Sequence, residues 1–330
     1  MLTLGIETTC DETAAALVRS GKGIDSHVIF SQAPVHNEFG GVVPEIASRQ
    51  HIETIIPVLK ECLAKAAISL TDIDLIAVAS EPGLIGALLV GIQTAKALAW
   101  SLNKPLIGVN HVEAHLYASM MGQNSLPLPA LGVVLSGGHS TLLHIEDVGK
   151  YTLIGQTVDD AMGEAFDKVS KTLSLGYPGG PAVEKKALLG DPKAFDFRAG
   201  RVKKDPYAFS FSGLKTAVLY TVEKLTLSEQ IICDICASFQ RAAFTDLIKK
   251  ITKASEEFDT KAIFLGGGVT QNSTLRSMLQ KSTPLPIFWP PQQLCLDNAA
   301  MIAGLGYHKW QESPVDMRFT LEPKTRTPLF

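Results

Sequence analysis

Cysteine is scarce in this chain: five residues in 330, at Cys10, Cys62, Cys233, Cys236 and Cys295. Spread so thinly, they cannot frame a disulfide-stapled fold, and a reducing compartment is the simpler expectation. Cys233 and Cys236 form a C-x-x-C, but without a second ligand pair they read as packing residues of a helix. Net charge is scarce as well. The 30 Lys and Arg against 33 Asp and Glu leave −3, with a pI near 6.2 and a mean hydropathy of +0.17. Disordered chains pair low hydrophobicity with high net charge, and this chain has neither. No global field draws an anionic partner, so nucleic-acid contact needs a local basic patch or a partner's surface. Long apolar runs are missing too: the most apolar stretch, 84–100, is interrupted by Gln93 and Lys96 and falls short of the roughly 20 residues that span a bilayer. The first residues lack the basic and apolar segments of a signal peptide and reach a carboxylate at Glu7, so a cytoplasmic protein without membrane association is expected. The familiar nucleotide motifs are absent: no G-x-G-x-x-G in a strand-to-helix context and no G-x-x-x-x-G-K-[ST].

What is present is alternation. An apolar run at 2–7, a polar turn Thr8-Thr9-Cys10-Asp11-Glu12-Thr13 and a second run at 14–18 read as strand, turn, strand. The same grammar recurs at 131–135, Ser136-Gly137-Gly138-His139-Ser140 and 141–145, at a gapless offset of 127 (131 − 4) that lays Leu4-Gly5 on Leu131-Gly132. Two ordinary hairpins or a duplicated domain would both produce this. Helical periodicity marks 52–67, 86–102 and 227–254, and short apolar runs bounded by turns mark 75–79, 106–109 and 262–265. Loops are expected at 176–181 and at 191–206, the latter carrying Arg198, Arg201, Lys203 and Lys204. With about 100–200 residues per domain, the chain has material for two α/β domains, and such folds place ligands outside the carboxyl ends of their strands, at the crevice between halves.

The sharpest chemical signal is Asn110-His111-Val112-Glu113-Ala114-His115. At about 100° per residue the two imidazoles lie roughly 40° apart on one helical face and can reach one metal. Glu113 lies about 200° away, which argues against a zinc protease, whose H-E-x-x-H places its general base next to the first histidine. Two partly exposed surface histidines are the plain alternative. Asp297 is a candidate third ligand, with N-cap of the following Ala-rich helix as its ordinary role; two imidazoles and a carboxylate suit a divalent metal such as Fe(II) or Zn(II). Glycine turns at 136–139, 176–180 and 266–268 allow close backbone approach to an anion, and 266–268 is the best placed, following an apolar run and preceding Asn272, a plausible helix start. Asp11, Glu12, His139, Asp167, Lys168 and Glu184 lie near these turns and as a set resemble a site.

These segments resemble the tRNA adenosine threonylcarbamoyltransferase family in its bacterial form. The resemblance rests on Gly5-Ile6-Glu7-Thr8-Thr9-Cys10-Asp11-Glu12-Thr13, Gly40-Gly41-Val42-Val43-Pro44-Glu45, Asn110 to His115, Leu135-Ser136-Gly137-Gly138-His139, Glu164-Ala165-Phe166-Asp167-Lys168, Phe209-Ser210-Phe211-Ser212-Gly213-Leu214-Lys215-Thr216, Gly266-Gly267-Gly268-Val269 with Asn272, and Asp297-Asn298. It is collinear from residue 3 to about 305; residues 316–330 match no motif. It implies an α/β fold of the actin, Hsp70 and sugar-kinase type: two related RNase H-like domains, 1–125 and 126–304, with 305–330 packing back on the first and the active site in the cleft between them. It also implies one divalent metal, iron by usual assignment with zinc or magnesium as alternatives, held by His111, His115 and Asp297. Substrate contacts carry over to Val134, Leu135, Ser136, Gly137, Gly138, Asp167, Gly180 and Asn272, and a ribose contact to Glu184. Catalytic roles fall to Asp11, Glu12 and His139, with Glu12 or His139 relaying the amine proton. The implied reaction moves threonylcarbamoyl from threonylcarbamoyl-AMP to N6 of the adenosine beside the anticodon. The implied partners are tRNA, a paralogous non-catalytic subunit and a small ATPase subunit. A sugar or acetate kinase, a zinc peptidase and a non-catalytic scaffold are the competing classes; the first needs no histidine pair and the last is expected to lack the three ligands.

Overall fold

The computed structural model describes residues 1–123 and 125–326. Contacts divide the chain into two compact units, Met1–Leu126 with Pro290–Phe330, and Pro127–Trp289. The first unit opens with strands β1 (Leu2–Glu7), β2 (Glu12–Arg19) and β3 (Gly23–Ser31). Helices α1 (Ala33–Asn37) and α2 (Pro44–Ala66), strand β4 (Leu75–Glu81), helix α3 (Ile85–Leu102), strand β5 (Leu106–Asn110) and helix α4 (His111–Met120) follow. Its sheet runs β3-β2-β1-β4-β5, antiparallel through the three amino-terminal strands and parallel from β1 to β4 to β5. β1 and β4 occupy the middle and are buried almost end to end, which is why they read as continuous apolar runs rather than alternating ones. Helix α3 is the one helix among the described residues long and apolar enough to cross a bilayer. Here Ala87, Leu88, Gly91, Ile92, Ala95 and Ala99 form its buried face against the sheet, the position of a core helix.

The second unit comprises β6 (Ala130–Leu135), β7 (Ser140–Asp147), β8 (Lys150–Gln156), α5 (Met162–Thr172), α6 (Gly179–Ala187), α7 (Ser212–Val222), α8 (Glu229–Glu257), β9 (Ile263–Gly266), α9 (Ser273–Ser282) and β10 (Ile287–Phe288). Its sheet order, β10-β9-β6-β7-β8, with β6–β7–β8 antiparallel and β6–β9–β10 parallel, repeats the first sheet's topology strand for strand. Phe166, Phe209, Phe211, Phe239 and Phe244 fill its core, and Cys236 packs among them. The repeat is a duplication, but the offset of 127 is one residue short. Leu2–Glu7 falls on Ala130–Leu135 and Glu12–Arg19 on Ser140–Asp147 at a constant 128 (130 − 2, 147 − 19). A one-residue slip would turn every side chain of a strand to the opposite face, so the Leu-Gly identity is incidental to the fold.

The chain then returns to the first unit as α10 (Ala299–Glu312), which packs on β1, β2 and β4. The unit boundary therefore falls at 289 rather than the expected 304, because this helix buries its Ala299–Gly306 face on the first sheet. The return continues through Met317, whose N–H donates to the Leu106 carbonyl, and Lys324, whose N–H donates to that of Ser80; residues 327–330 of the expected segment lie outside the described residues. Close approach of α10 depends on Gly5: a Cβ there would stand 2.2 Å from the Ala299 carbonyl oxygen and 2.9 Å from the Ala303 Cβ. The expected loop at 176–181 is shorter than its Pro and Gly content suggests, since α6 starts at Gly179; 191–206 carries no regular element.

Candidate metal centre and substrate-binding loops

In the first unit the candidate residues gather at the carboxyl ends of the parallel strands. β5 stops at Asn110, whose side-chain oxygen accepts the N–H groups of Val112 and Glu113 at 2.9 and 3.1 Å. That cap starts α4 with His111 as its first residue, and His115 follows one turn later with the ring centroids 4.6 Å apart, edge to face. Both are buried, 7% and 1% exposed, so the reading of two surface histidines fails. Asp297 does not take the ordinary role of an N-cap. Asn298 caps α10, accepting the Met301 N–H at 3.0 Å, which leaves the Asp297 carboxylate for the histidines: its Oδ1 lies 3.0 Å from His115 Nε2 and 3.4 Å from His111 Nε2. One donor atom from each of the three lies within 4.8 Å of the others.

Electrostatics favour a cation here. Burial opposes ionisation of Asp297, but His111 and His115 outweigh it and hold the carboxyl well below the usual carboxylate range. Burial likewise disfavours a charged His111, yet Glu7 and Asp297 push its imidazolium well above the ordinary value. Beside them, burial first, then the charges of Asp297 and Asp11, push the Glu12 carboxyl well up; Ser31 Oγ donates to its Oε1 at 3.1 Å. The Cys10 thiol is raised by burial and the same two carboxylates. Glu113 turns to Lys309 of α10, with Oε2 to Nζ at 2.6 Å, and so ties the histidine helix to the helix behind Asp297.

In the second unit, the candidates lie at the ends of β6 and β9, neighbours in register through Val134 and Gly266. The turn after β6 is closed by the Ser136 N–H donating to the His139 carbonyl at 2.8 Å and the His139 N–H donating to Ser136 Oγ at 3.1 Å. A Cβ on Gly137 or Gly138 would meet nothing within 4 Å, so the backbone is open to a ligand. Val134 and Leu135 are fully buried in β6; what they can offer a ligand is backbone. After β9, Gly267 takes φ +90°, with a Cβ there only 2.3 Å from the Leu135 carbonyl oxygen, a conformation glycine adopts freely. Asn272 caps α9, accepting the Leu275 N–H at 3.0 Å and donating to Gln240 Oε1 at 2.7 Å. Asp167 Oδ1 accepts the Gly179 N–H at 2.7 Å at the start of α6, next to Gly180. Glu184 is engaged as well: its Oε1 accepts both the N–H and the hydroxyl of Ser273, at 2.7 and 2.6 Å.

The sequence profile of the tRNA N6-adenosine threonylcarbamoyltransferase family matches residues 23–304. A protein of that name from Protochlamydia amoebophila is 55% identical over 100% of this chain and 98% of its own length. Another from Symbiobacterium thermophilum is 48% identical over 94% and 92%. The chain belongs to the tRNA N6-adenosine threonylcarbamoyltransferase family. Its fold extends further, to the T. kodakarensis HypF structure (TM-score 0.64, 15% identity, 97% of this chain and 49% of that one). The ROK hexokinase of Thermus thermophilus is also similar (TM-score 0.53, 12% identity, 95% and 100%). The expected actin and sugar-kinase architecture is thus the observed one.

For a threonylcarbamoyltransferase family member, the residue most conspicuously missed by sequence reasoning is Glu7. It is fully buried, with Oε2 2.9 Å from His111 Nδ1 and Oε1 accepting the Thr9 N–H at 2.6 Å. The signal was a carboxylate ending an otherwise apolar central strand. Asp159 and Asp160 were missed too. Asp159 Oδ1 accepts the N–H groups of Phe211 and Ser212 at 2.8 and 3.2 Å, and Asp160 pairs with Lys168 at 2.8 Å and with Lys215. Together they staple two of the family's motif segments to one another.

Proposed function

We propose that this chain transfers the threonylcarbamoyl group from threonylcarbamoyl-AMP to N6 of the adenosine next to the anticodon, position 37, in tRNAs reading codons that begin with A, giving N6-threonylcarbamoyladenosine. The observation that carries the reading is the convergence of His111, His115 and Asp297 in a chain of this family. The donor set fits a divalent cation. Two imidazole nitrogens and a carboxylate suit Fe(II) or Zn(II) better than Mg(II), which prefers all-oxygen shells. When bound, the metal supplies a Lewis acid and a template for donor oxygens.

The chain's own residues supply the rest. An adenine amine is a poor nucleophile and AMP a good leaving group, so positioning and charge stabilisation matter more than a covalent intermediate. The open backbone of Ser136, Gly137 and Gly138, with Gly180 and Asn272, would hold the adenylate, and Asp167 and Glu184 would fix loop ends while contacting it. Glu12 or His139 would relay the amine proton. The partners proposed are tRNA, a paralogous subunit docking on the first unit, a small ATPase subunit and a separate enzyme that makes the adenylate, all in the cytoplasm. Ile52, Ile56, Ile85 and Leu89 of α2 and α3 are exposed, and exposed apolar side chains on packed neighbouring helices suit a protein partner.

Reconstitution with threonylcarbamoyl-AMP, unmodified tRNA and the partner subunits, followed by nucleoside analysis, tests the proposal. Modified adenosine at position 37 is expected. Phosphorylation of a small acceptor with no nucleoside product would turn the reading towards a kinase.

A further inference from the structure

We propose that Glu7 is a positioning residue of the metal centre, holding His111 in the tautomer and orientation that present Nε2 to the cation. The inference rests on the metal-centre reading above. Glu7 ends β1 fully buried, and among the described residues its ion-pair partner is His111, with no lysine or arginine in reach. Its two oxygens are divided: Oε1 accepts the Thr9 N–H at 2.6 Å, which fixes the carboxylate, and Oε2 faces His111 Nδ1 at 2.9 Å. Thr9 Oγ1 stands 3.2 Å from the same nitrogen.

An ionised carboxylate only accepts hydrogen bonds, so the proton of a neutral His111 sits on Nδ1 and the lone pair on Nε2. Nε2 is the atom that points towards Asp297 Oδ1, at 3.4 Å. When His111 is charged a proton on Nε2 spans that gap, and a cation that displaces it meets a lone pair already turned towards Asp297. A buried carboxylate whose partner is a single imidazole is costly to retain, and orientation of a ligand imidazole is a role that a carboxylate in this position fills. The two ligands differ in this respect. His115 Nδ1 is buried with no hydrogen-bond partner among the described residues, so packing and the Asp297 contact at Nε2 set the orientation of that ring, and carboxylate support at Nδ1 falls on His111.

The test uses the full chain, with Co(II) as a spectroscopic probe and Zn(II) for NMR. Glu7→Gln, which keeps the volume but not the charge, is expected to bind Co(II) about 10–100-fold more weakly and with an altered visible spectrum, with Glu7→Asp intermediate. Affinity and spectrum that match the native chain in Glu7→Gln overturn the inference. Long-range 15N–1H NMR on the native Zn(II)-loaded chain supplies a readout independent of any variant's folding. It should show His111 protonated at Nδ1 and coordinating through Nε2, and coordination through Nδ1 overturns the inference. A native chain that takes up neither metal refutes the metal centre itself and this inference with it. A native chain that binds while Glu7→Gln binds as tightly refutes the inference alone.

Discussion

Gly5→Ala tests how tightly the metal centre is coupled to the packing beneath it. The added methyl carbon would lie 2.2 Å from the Ala299 carbonyl oxygen, where real Cβ atoms essentially never come closer than 3.0 Å, so α10 must lift by at least 0.8 Å (3.0 − 2.2). Sliding along the sheet gives no relief. A Cβ at Gly306 would already be 2.5 Å from Ala77 Cβ and one at Gly304 2.6 Å from the Tyr117 ring, so the helix is seated closely at several points. Overpacking of this kind costs about 1–3 kcal/mol, and a clash with backbone rather than a flexible side chain places the expectation in the upper half of that range. Asp297 lies two residues before Ala299 and moves with the start of the helix. Metal sites tolerate ligand displacements of only about 0.2 Å, so metal affinity should fall at least tenfold, about 1.4 kcal/mol. Urea unfolding of the metal-free chain measures the first quantity and Co(II) titration the second. Stability within about 0.5 kcal/mol of native, together with unchanged affinity, would show that α10 is not held by this contact and would refute the coupling.

Four further outcomes are expected. His111→Ala, His115→Ala and Asp297→Ala should each lose stoichiometric metal and transfer activity while staying folded; unchanged metal content by elemental analysis in all three would remove the assignment. Adenylates at 100 times their dissociation constant should stabilise the chain by roughly 2.7 kcal/mol, and Gly137→Val, at a position open to solvent, should abolish that thermal shift without lowering the unliganded melting temperature. His27, whose Nε2 is buried without a partner among the described residues, is pulled from 6.5 to about 4 by burial and then by Lys65. Its folded value lies below the unfolded one, so the stabilisation is present above pH 6.5 and lost as pH falls towards 4. His27→Gln should reduce the acid-side loss between pH 7.5 and 4.5 by on the order of 2 kcal/mol, read from urea midpoints, and an unaltered pH profile would contradict it. Neutralising Arg201, Lys203 and Lys204 together, all exposed, should flatten the slope of log tRNA affinity against log salt by roughly 0.7–0.9 for each phosphate no longer neutralised; an unchanged slope with all partners present would assign docking elsewhere.

What could be read from the residues follows from the physics of each signal. The histidine pair was legible because i, i+4 spacing fixes a shared face whatever the surroundings. Central strands β1, β4 and β6 were legible because burial on both faces leaves an unbroken apolar run. The edge strands β3 and β8 were not: most of β3 is exposed, and its Gly-Ile-Asp-Ser-His-Val carries no clean period. Asp297 looked like a cap because both Asp and Asn cap helices well, and only the backbone geometry at Asn298 decides between neighbours. Glu7 was hidden for a different reason. A carboxylate ending a strand is ordinary in sequence, and its significance lies in a contact with a residue more than a hundred positions away. The return of α10 to the first sheet was similarly invisible, since helix periodicity says which face is apolar but not which sheet receives it.

That return also fixes an order of events during synthesis. The second unit is one continuous segment, Pro127–Trp289, whereas the first is assembled from the two ends of the chain. On the ribosome the first sheet emerges early but cannot be covered by α10 until residues 299–312 have been translated. The inserted unit can complete its own contacts before the unit that encloses it in sequence. His111 and His115 are made nearly two hundred residues ahead of Asp297, so a nascent chain presents an incomplete set of the three candidate donors until the helix that closes the first core arrives.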